Sequence, residues 1–117
     1  MKFTESLKKH EQFKEVYDAK ISYANKYLVL YIKENHTEIN RLGITATKKI
    51  GNSIVRHRFK RLVRESYRLN EEMLSSGLDI VVVARNTVKG ASFHEIESAL
   101  LHLCKLHKII KSEEKGL

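Results

Sequence analysis

The sequence predicts an α+β fold, an α/β sandwich in which a small four-stranded sheet packs with helices in the order α-β-β-β-α-β-α. Three observations carry that prediction. Residues 53–73 keep an apolar stripe at helical spacing with no Gly or Pro to interrupt it. Residues 27–33 alternate in the two-residue period of a half-buried strand. The block Ile80, Val81, Val82, Val83, Ala84 is continuous and β-branched, the pattern of a strand covered on both faces.

Residues 8–18 read as a short helix. Phe13 and Tyr17 stand i,i+4 apart and project from one side, and Thr4 or Ser6 is the expected cap. Residues 20–24 suit a small edge strand. In 27–33, Leu28, Leu30 and Ile32 share the core face, while Val29, Tyr31 and Lys33 share the other with Tyr27. A polar turn leads to a strand over 41–47, and the short spacing predicts an antiparallel hairpin between the two. Lys48 and Lys49 then precede Gly51 and a helix N-terminus, an arrangement suited to phosphate. The long helix runs from Ser53 to Met73 or Leu74, and Gly77 ends it. As a crossover element it allows the strands on either side of it to pair in parallel. After the strand at 78–85 and a loop, Ser92 and Glu95 form a capping box for a last helix over 93–110. One domain, 1–117, is expected, with its core over about 7–110 and a fraying tail at 111–117.

On the long helix, Val55, Phe59, Leu62, Ser66, Leu69 and Met73 fall on one stripe, widened by Val63 and Tyr67. His57, Lys60, Arg61, Arg64 and Arg68 gather on another face, flanked by Arg56 and Arg58. The formal charge of the chain is +8. Residues 48–68 hold eight cations and one acid, so nearly the whole excess sits in one segment. Lys60, Arg64 and Arg68 place like charges in successive turns, which costs an isolated helix a few tenths of a kcal/mol per pair. A polyanionic partner relieves that repulsion, and a localised patch reads as a nucleic-acid footprint.

Other classes find little support. The single Cys104 excludes an internal disulfide and suits a reducing compartment. The N-terminus lacks the apolar segment of a signal peptide, and the longest apolar run is too short to span a bilayer. A cytoplasmic protein without membrane contact is expected. The six histidines form no zinc spacing with Cys104, and neither a Gly-x-Ser-x-Gly elbow nor a P-loop is present. No catalytic residue and no metal ligand is assigned. What remains is binding by two surfaces: the cationic face, and an aromatic platform of Phe13, Tyr17, Tyr27 and Tyr31. Such rings stack on unpaired bases, typically for about 1–3 kcal/mol per base.

The stretch Lys48, Lys49, Ile50, Gly51, Asn52, Ser53, followed by Arg56, His57, Arg58, Phe59, Lys60, Arg61, Leu62, Val63, Arg64, closely resembles the signature of the bacterial ribonuclease P protein subunit. Leu7, Lys8 and Lys9 with Phe13 and Tyr17, then Ser22, Ala24 and Asn25 before Val29 and Tyr31, and Val83, Ala84, Arg85, are similar too. The resemblance covers about residues 7–106. It implies a protein that pairs one-to-one with a large catalytic RNA and helps mature the 5′ end of precursor tRNA. It implies Mg2+ held mainly by the RNA and substrate, with the protein as accessory. It places RNA-subunit contacts on Lys48, Lys49, Arg56, His57, Arg58, Lys60, Arg61, Arg64 and Arg68. It places a groove for the single-stranded 5′ leader on Phe13, Tyr17, Val29 and Tyr31, with Lys49 near its edge. It also implies a left-handed crossover around the long helix, against the usual hand.

One position departs from the family pattern. His57 stands where the family usually has Asn, and an imidazole cannot offer both functions of an amide at once. The main rival reading is a small ribosomal or ribosome-assembly protein, which shares a basic helix but needs no cleft for a single strand. A self-contained nuclease would cleave without an RNA partner. A DNA-binding domain would need a recognition-helix pair, which is not visible.

Overall fold

The structure, a computed structural model, describes residues 1–111. Five strands form one sheet: β1 (Thr4–Ser6), β2 (Ser22–Ala24), β3 (Leu28–Glu34), β4 (Asn40–Thr45) and β5 (Leu78–Ala84). Three helices accompany them: α1 (His10–Ala19), α2 (Ser53–Asn70) and α3 (Phe93–Leu106). The strand order is β1-β4-β5-β3-β2. β5 lies at the centre, parallel to β4 and antiparallel to β3, and β1 extends the sheet in parallel beyond β4.

The α+β prediction holds, with two corrections inside the sheet. First, there are five strands, not four. β1 has only three residues and no apolar alternation, so local pattern does not reveal it. Its anchor is remote: the Glu71 carboxylate accepts from the Lys2 and Phe3 N–H groups, each at 3.0 Å, and from the Thr4 hydroxyl at 2.6 Å. Second, the expected hairpin does not form. β5 separates β3 from β4, because the most apolar strand takes the doubly covered place. Ile80, Val81 and Val82 are all at 1% exposure or less. The two flanking strands then stand about 10 Å apart, and the connection from Asn35 passes over the entry to β5. Asn35 N–H donates to Gly77 O at 2.9 Å. Gly77 has φ +80, and a Cβ there would meet Thr37 O at 2.7 Å, so this crossing requires glycine.

The helix ends differ from expectation in instructive ways. α1 starts at His10 with Lys9 as its N-cap, and Thr4 and Ser6 belong to β1 instead. Gln12 Oε1 satisfies the free Lys8 and Lys9 N–H groups at 3.2 and 3.1 Å. At α2, Asn52 Oδ1 accepts from Val55 N–H at 3.0 Å, and a 3-10 turn over Glu71–Met73 carries the chain to Leu74. α3 stops at Leu106, short of the expected 110. Lys108 adopts φ +61, its N–H donates to Lys105 O, and Ile109 N–H reaches back to Cys104 O. That pair of bonds is a Schellman ending, with the buried Ile109 and Cys104 as its apolar contact. Lys111, expected in the fraying tail, is tied down: its N–H donates to Met73 O. The rest of that tail, 112–117, lies outside the described residues.

The layers follow from the strand faces. Leu28, Leu30, Ile80 and Val82 pack with Phe59 and Val63 of α2 and with Leu100 and Leu103 of α3. Val81 faces the other way, onto Leu7 and Val16 beneath α1. The α2 stripe is buried at Phe59, Val63, Ser66 and Tyr67, but Leu69, expected in it, is 55% exposed. The stripe drifts with the helical period and continues into buried Glu71 rather than Leu69. Cys104 is sealed in the main core, where burial pushes its thiol pKa up to about 12, so it is an unreactive packing residue. No described helix is long and apolar enough to cross a membrane.

Candidate nucleic-acid interface

α2 positions the cationic face. With Phe59, Val63 and Tyr67 turned to the core, the helical period carries His57, Arg61, Arg64 and Arg68 outward, and all four are exposed. Arg56, Arg58 and Lys60 lie on the flanks, half-buried. Lys48 and Lys49 sit exposed in a 3-10 turn, Lys48–Ile50, just before the α2 N-terminus. No acidic residue occupies the first turn of α2, so its unpaired N–H groups and the two lysines add their fields. Of the eight cations between residues 48 and 68, only Arg68 meets a carboxylate among the described residues. Its Nη2 and Nε contact Glu65 at 2.5 and 3.1 Å. That pair holds the Glu65 carboxyl below its usual range. Arg56 Nε is buried with no protein acceptor among the described residues, a donor left unused by the fold.

α1 and the opposite sheet face position the rings. Tyr17 and Tyr31 meet edge-on, with centroids 4.9 Å apart at 83°, and Phe13 stands 6.5 Å from Tyr17. The Tyr17 hydroxyl bonds the Thr45 hydroxyl at 3.0 Å. Phe13 lies directly on Gly43, where a Cβ would come within 2.5 Å of its ring. The rings are half-buried, packed against the cluster of Leu7, Val16 and Val81. Val29 belongs to the neighbouring row. Ala24, Val29, Val83 and Thr45 line up across β2, β3, β5 and β4, forming a floor beside Tyr17 and Tyr31. Tyr27, placed by sequence on the same platform, instead bonds Glu95 through its hydroxyl at 3.1 Å. Its ring carries Lys26 Nζ at 5.2 Å from the centroid.

At one end of this floor a recess of about 870 Å3 is lined by Lys26, Lys49, Arg85 and Thr87. Sequence reasoning missed Lys26, Arg85, Thr45 and Val83. Lys26 and Arg85 are isolated cations in loops, and only the register of three strands brings them near Lys49. Arg85 donates to Asn25 O at 3.1 Å, which fixes its side chain at the rim. Among the described residues no three His, Cys, Asp or Glu side chains converge on a point where a metal ion would sit.

The arrangement has two surfaces: an outward cationic face on α2, and a ring-lined cleft beneath α1 on the other side of the sheet. The family model described as Ribonuclease P matches residues 1–108. This chain belongs to the ribonuclease P protein family. It is 60% identical over 111 residues to the ribonuclease P protein component of Lachnoclostridium phytofermentans, covering 95% of this chain and 96% of that one. It is 52% identical to the component from Alkaliphilus oremlandii, with 96% and 98% covered. Its fold matches the RNase P protein of Staphylococcus aureus at a TM-score of 0.83 and 32% identity, over 91% of this chain and 97% of that one. The Thermotoga maritima RNase P protein matches at 0.81 and 30%, over 92% and 99%. tRNA processing is the general function of the ribonuclease P protein component, and its partnership is with ribonuclease P RNA and precursor tRNA.

Proposed function

We propose that this ribonuclease P protein docks on the catalytic RNA through the α2 face and holds the precursor's single-stranded 5′ leader in the cleft of Phe13, Tyr17, Val29 and Tyr31. The observation that carries this reading is the charge geometry of α2. Lys48, Lys49, Arg56, Arg58, Lys60, Arg61 and Arg64 present a single-sign surface without carboxylates of the described chain to neutralise it. Phosphates supply that neutralisation, releasing counterions as they do so. The leader, being unpaired, has bases free to lie on rings and on the Ala24–Val29–Val83–Thr45 floor. The RNA carries the hydrolysis, with Mg2+ held by RNA and substrate phosphates, and the protein contributes substrate affinity as a one-to-one accessory in the cytoplasm. His57 donates or accepts a single hydrogen bond where the usual amide would do both.

Reconstitution tests this. The protein, ribonuclease P RNA from the same source and a precursor tRNA are mixed at low magnesium, and the 5′ end of the product is mapped. Accurate 5′ maturation is expected only when both RNA and protein are present. Cleavage by the protein alone, or a rate indifferent to the protein, would sink the reading.

A further inference from the structure

On the β1 side of the molecule the sheet edge opens into a recess of about 570 Å3, within the usual ~300–1,000 Å3 range of ligand pockets. β1 ends at Ser6, opposite Leu42, and the chain then turns away toward α1. The bonds from Asn40 N–H to Phe3 O and from Leu7 N–H to Leu42 O show that even-numbered residues of β4 direct their peptide groups at β1. Ile44 is next in that series. Its side chain packs against the main core, so its N–H and C=O face the edge that β1 has vacated. Among the described residues its N–H has no strand partner on that side. The Phe13 ring, resting on Gly43, and Leu7 give the recess apolar lining, and Lys60 and Arg64 of α2 line it too. Glu5 is the one acid among the lining residues.

We propose that this recess takes one unpaired nucleotide of the RNA subunit, with its base against Phe13 and Leu7, its edge on the Ile44 peptide, and its phosphate on Lys60 and Arg64. The inference rests on the proposed docking of α2 and gives it a base-reading contact in addition to phosphate contacts. Free backbone donors and acceptors beside a ring are what an extruded base uses, whereas a duplex cannot enter an edge notch. The RNA subunit is the source because both cations belong to the α2 face. Phe13 over Gly43, and the Tyr17–Thr45 hydrogen bond, separate the recess from the leader floor. Glu71 is the positioning residue of the outer wall, since its carboxylate holds Lys2, Phe3 and Thr4 in place.

Amide hydrogen exchange of the unsubstituted protein tests the assignment, free, bound to ribonuclease P RNA, and bound to RNA plus precursor tRNA. The Ile44 amide is expected to exchange quickly in the free protein and to slow at least tenfold on the RNA alone. The Gly43 amide, turned to β5, serves as the internal reference. Protection that appears only when precursor tRNA is added assigns the recess to the leader and overturns the proposal. An Ile44 amide that stays fast within a complex that has formed also overturns it, while leaving the docking of α2 intact. Absence of any complex is the failure of the docking itself. As a second measurement, Ser6→Trp fills the recess without removing either cation. About tenfold weaker RNA binding is expected, the scale of one lost stacking contact, with an unchanged circular dichroism spectrum. Affinity within twofold of the original would refute the site.

Discussion

A single carboxylate closes the N-terminal edge of the molecule. Asn40 donates to the Tyr67 hydroxyl at 3.2 Å, Tyr67 to the Thr4 hydroxyl at 2.9 Å, and Thr4 to Glu71 at 2.6 Å. The direction is forced, because Thr4 has one proton and the carboxylate takes it. Burial opposes the charge on Glu71, but the Thr4 hydroxyl and the Lys2 and Phe3 N–H groups outweigh it, and its pKa is lowered from 4.5. A lowered folded-state value means stability that is present above the unfolded value and lost as pH falls through the folded one. Glu71→Ala is expected to cost about 3 kcal/mol at neutral pH, the scale of several charge-assisted hydrogen bonds lost from a buried carboxylate with part-buried donors. The gap between this variant and the original, read from urea midpoints, should narrow as pH falls below the ordinary value of 4.5 and through the lowered folded-state one. A gap unchanged down to about pH 2 would show that charge plays no part. On the other face of α2, Glu65 is the one acid among the eight cations. Glu65→Gln releases Arg68 from a solvent-screened surface pair worth little by itself. RNA binding is expected to tighten, with a log–log salt slope steeper by up to about one, as Arg68 becomes free for phosphate. An unchanged slope and affinity would place Arg68 outside the footprint.

At the scale of elements, local sequence specified type well and partners poorly. The α2 stripe, the Asn52 start and the Ser92–Glu95 capping box are local chemistry, and each appears where the residues put it. The cationic face was legible for the same reason, since turning Phe59 and Val63 inward fixes where Arg61 and Arg64 point. β1 was not legible, because three residues of mixed polarity become a strand only once Glu71, remote in sequence, reaches them. Nor was the hairpin's failure, since the demand of β5 for two covered faces is a property of the sheet, not of residues 27–47. The end of α3 misled for a subtler reason. The apolar period continues through Ile109 and Ile110, but Lys108 turns left-handed and Ile109 seals the cap. A side chain at that φ is strained relative to glycine. Lys108→Gly is therefore expected to stabilise the fold by roughly 0.5–1 kcal/mol, seen as a higher urea midpoint with an unchanged m value. A loss of stability would mean that the Lys108 side chain makes a contact outweighing its backbone cost.

The whole molecule sets the outward face of α2 and the rings of Tyr17 and Tyr31 on opposite sides of one sheet, with Phe13 alone of the cleft residues reaching the recess that Lys60 and Arg64 also line. The leader cleft was only partly legible, because its floor of Ala24, Val29, Val83 and Thr45 comes from four strands and exists only in their register. Phe13 and Tyr17 could be paired from their spacing, whereas Lys26 and Arg85 needed the fold. The layered arrangement has a thermodynamic consequence. Arg61 faces outward from α2, and Tyr31 lies under α1 beyond β5, with no shared hydrogen bond between them. Sites separated by a packed layer and lacking common partners add within about 0.5 kcal/mol. Arg61→Ala is expected to weaken assembly with the RNA subunit and to flatten its salt slope by about one, leaving the preference for precursor over mature tRNA unchanged. Tyr31→Ala is expected to erode that preference by about tenfold, one stacking contact's worth, while assembly with the RNA subunit is kept. The doubly substituted protein should show both losses in full, measured as RNA-subunit affinity and as the precursor-to-mature binding ratio in the holoenzyme. If Tyr31→Ala lowers affinity for precursor and mature tRNA equally, the cleft does not hold the leader. If the two substitutions couple by more than about 1 kcal/mol, the sheet is not the inert partition between surfaces that its packing implies.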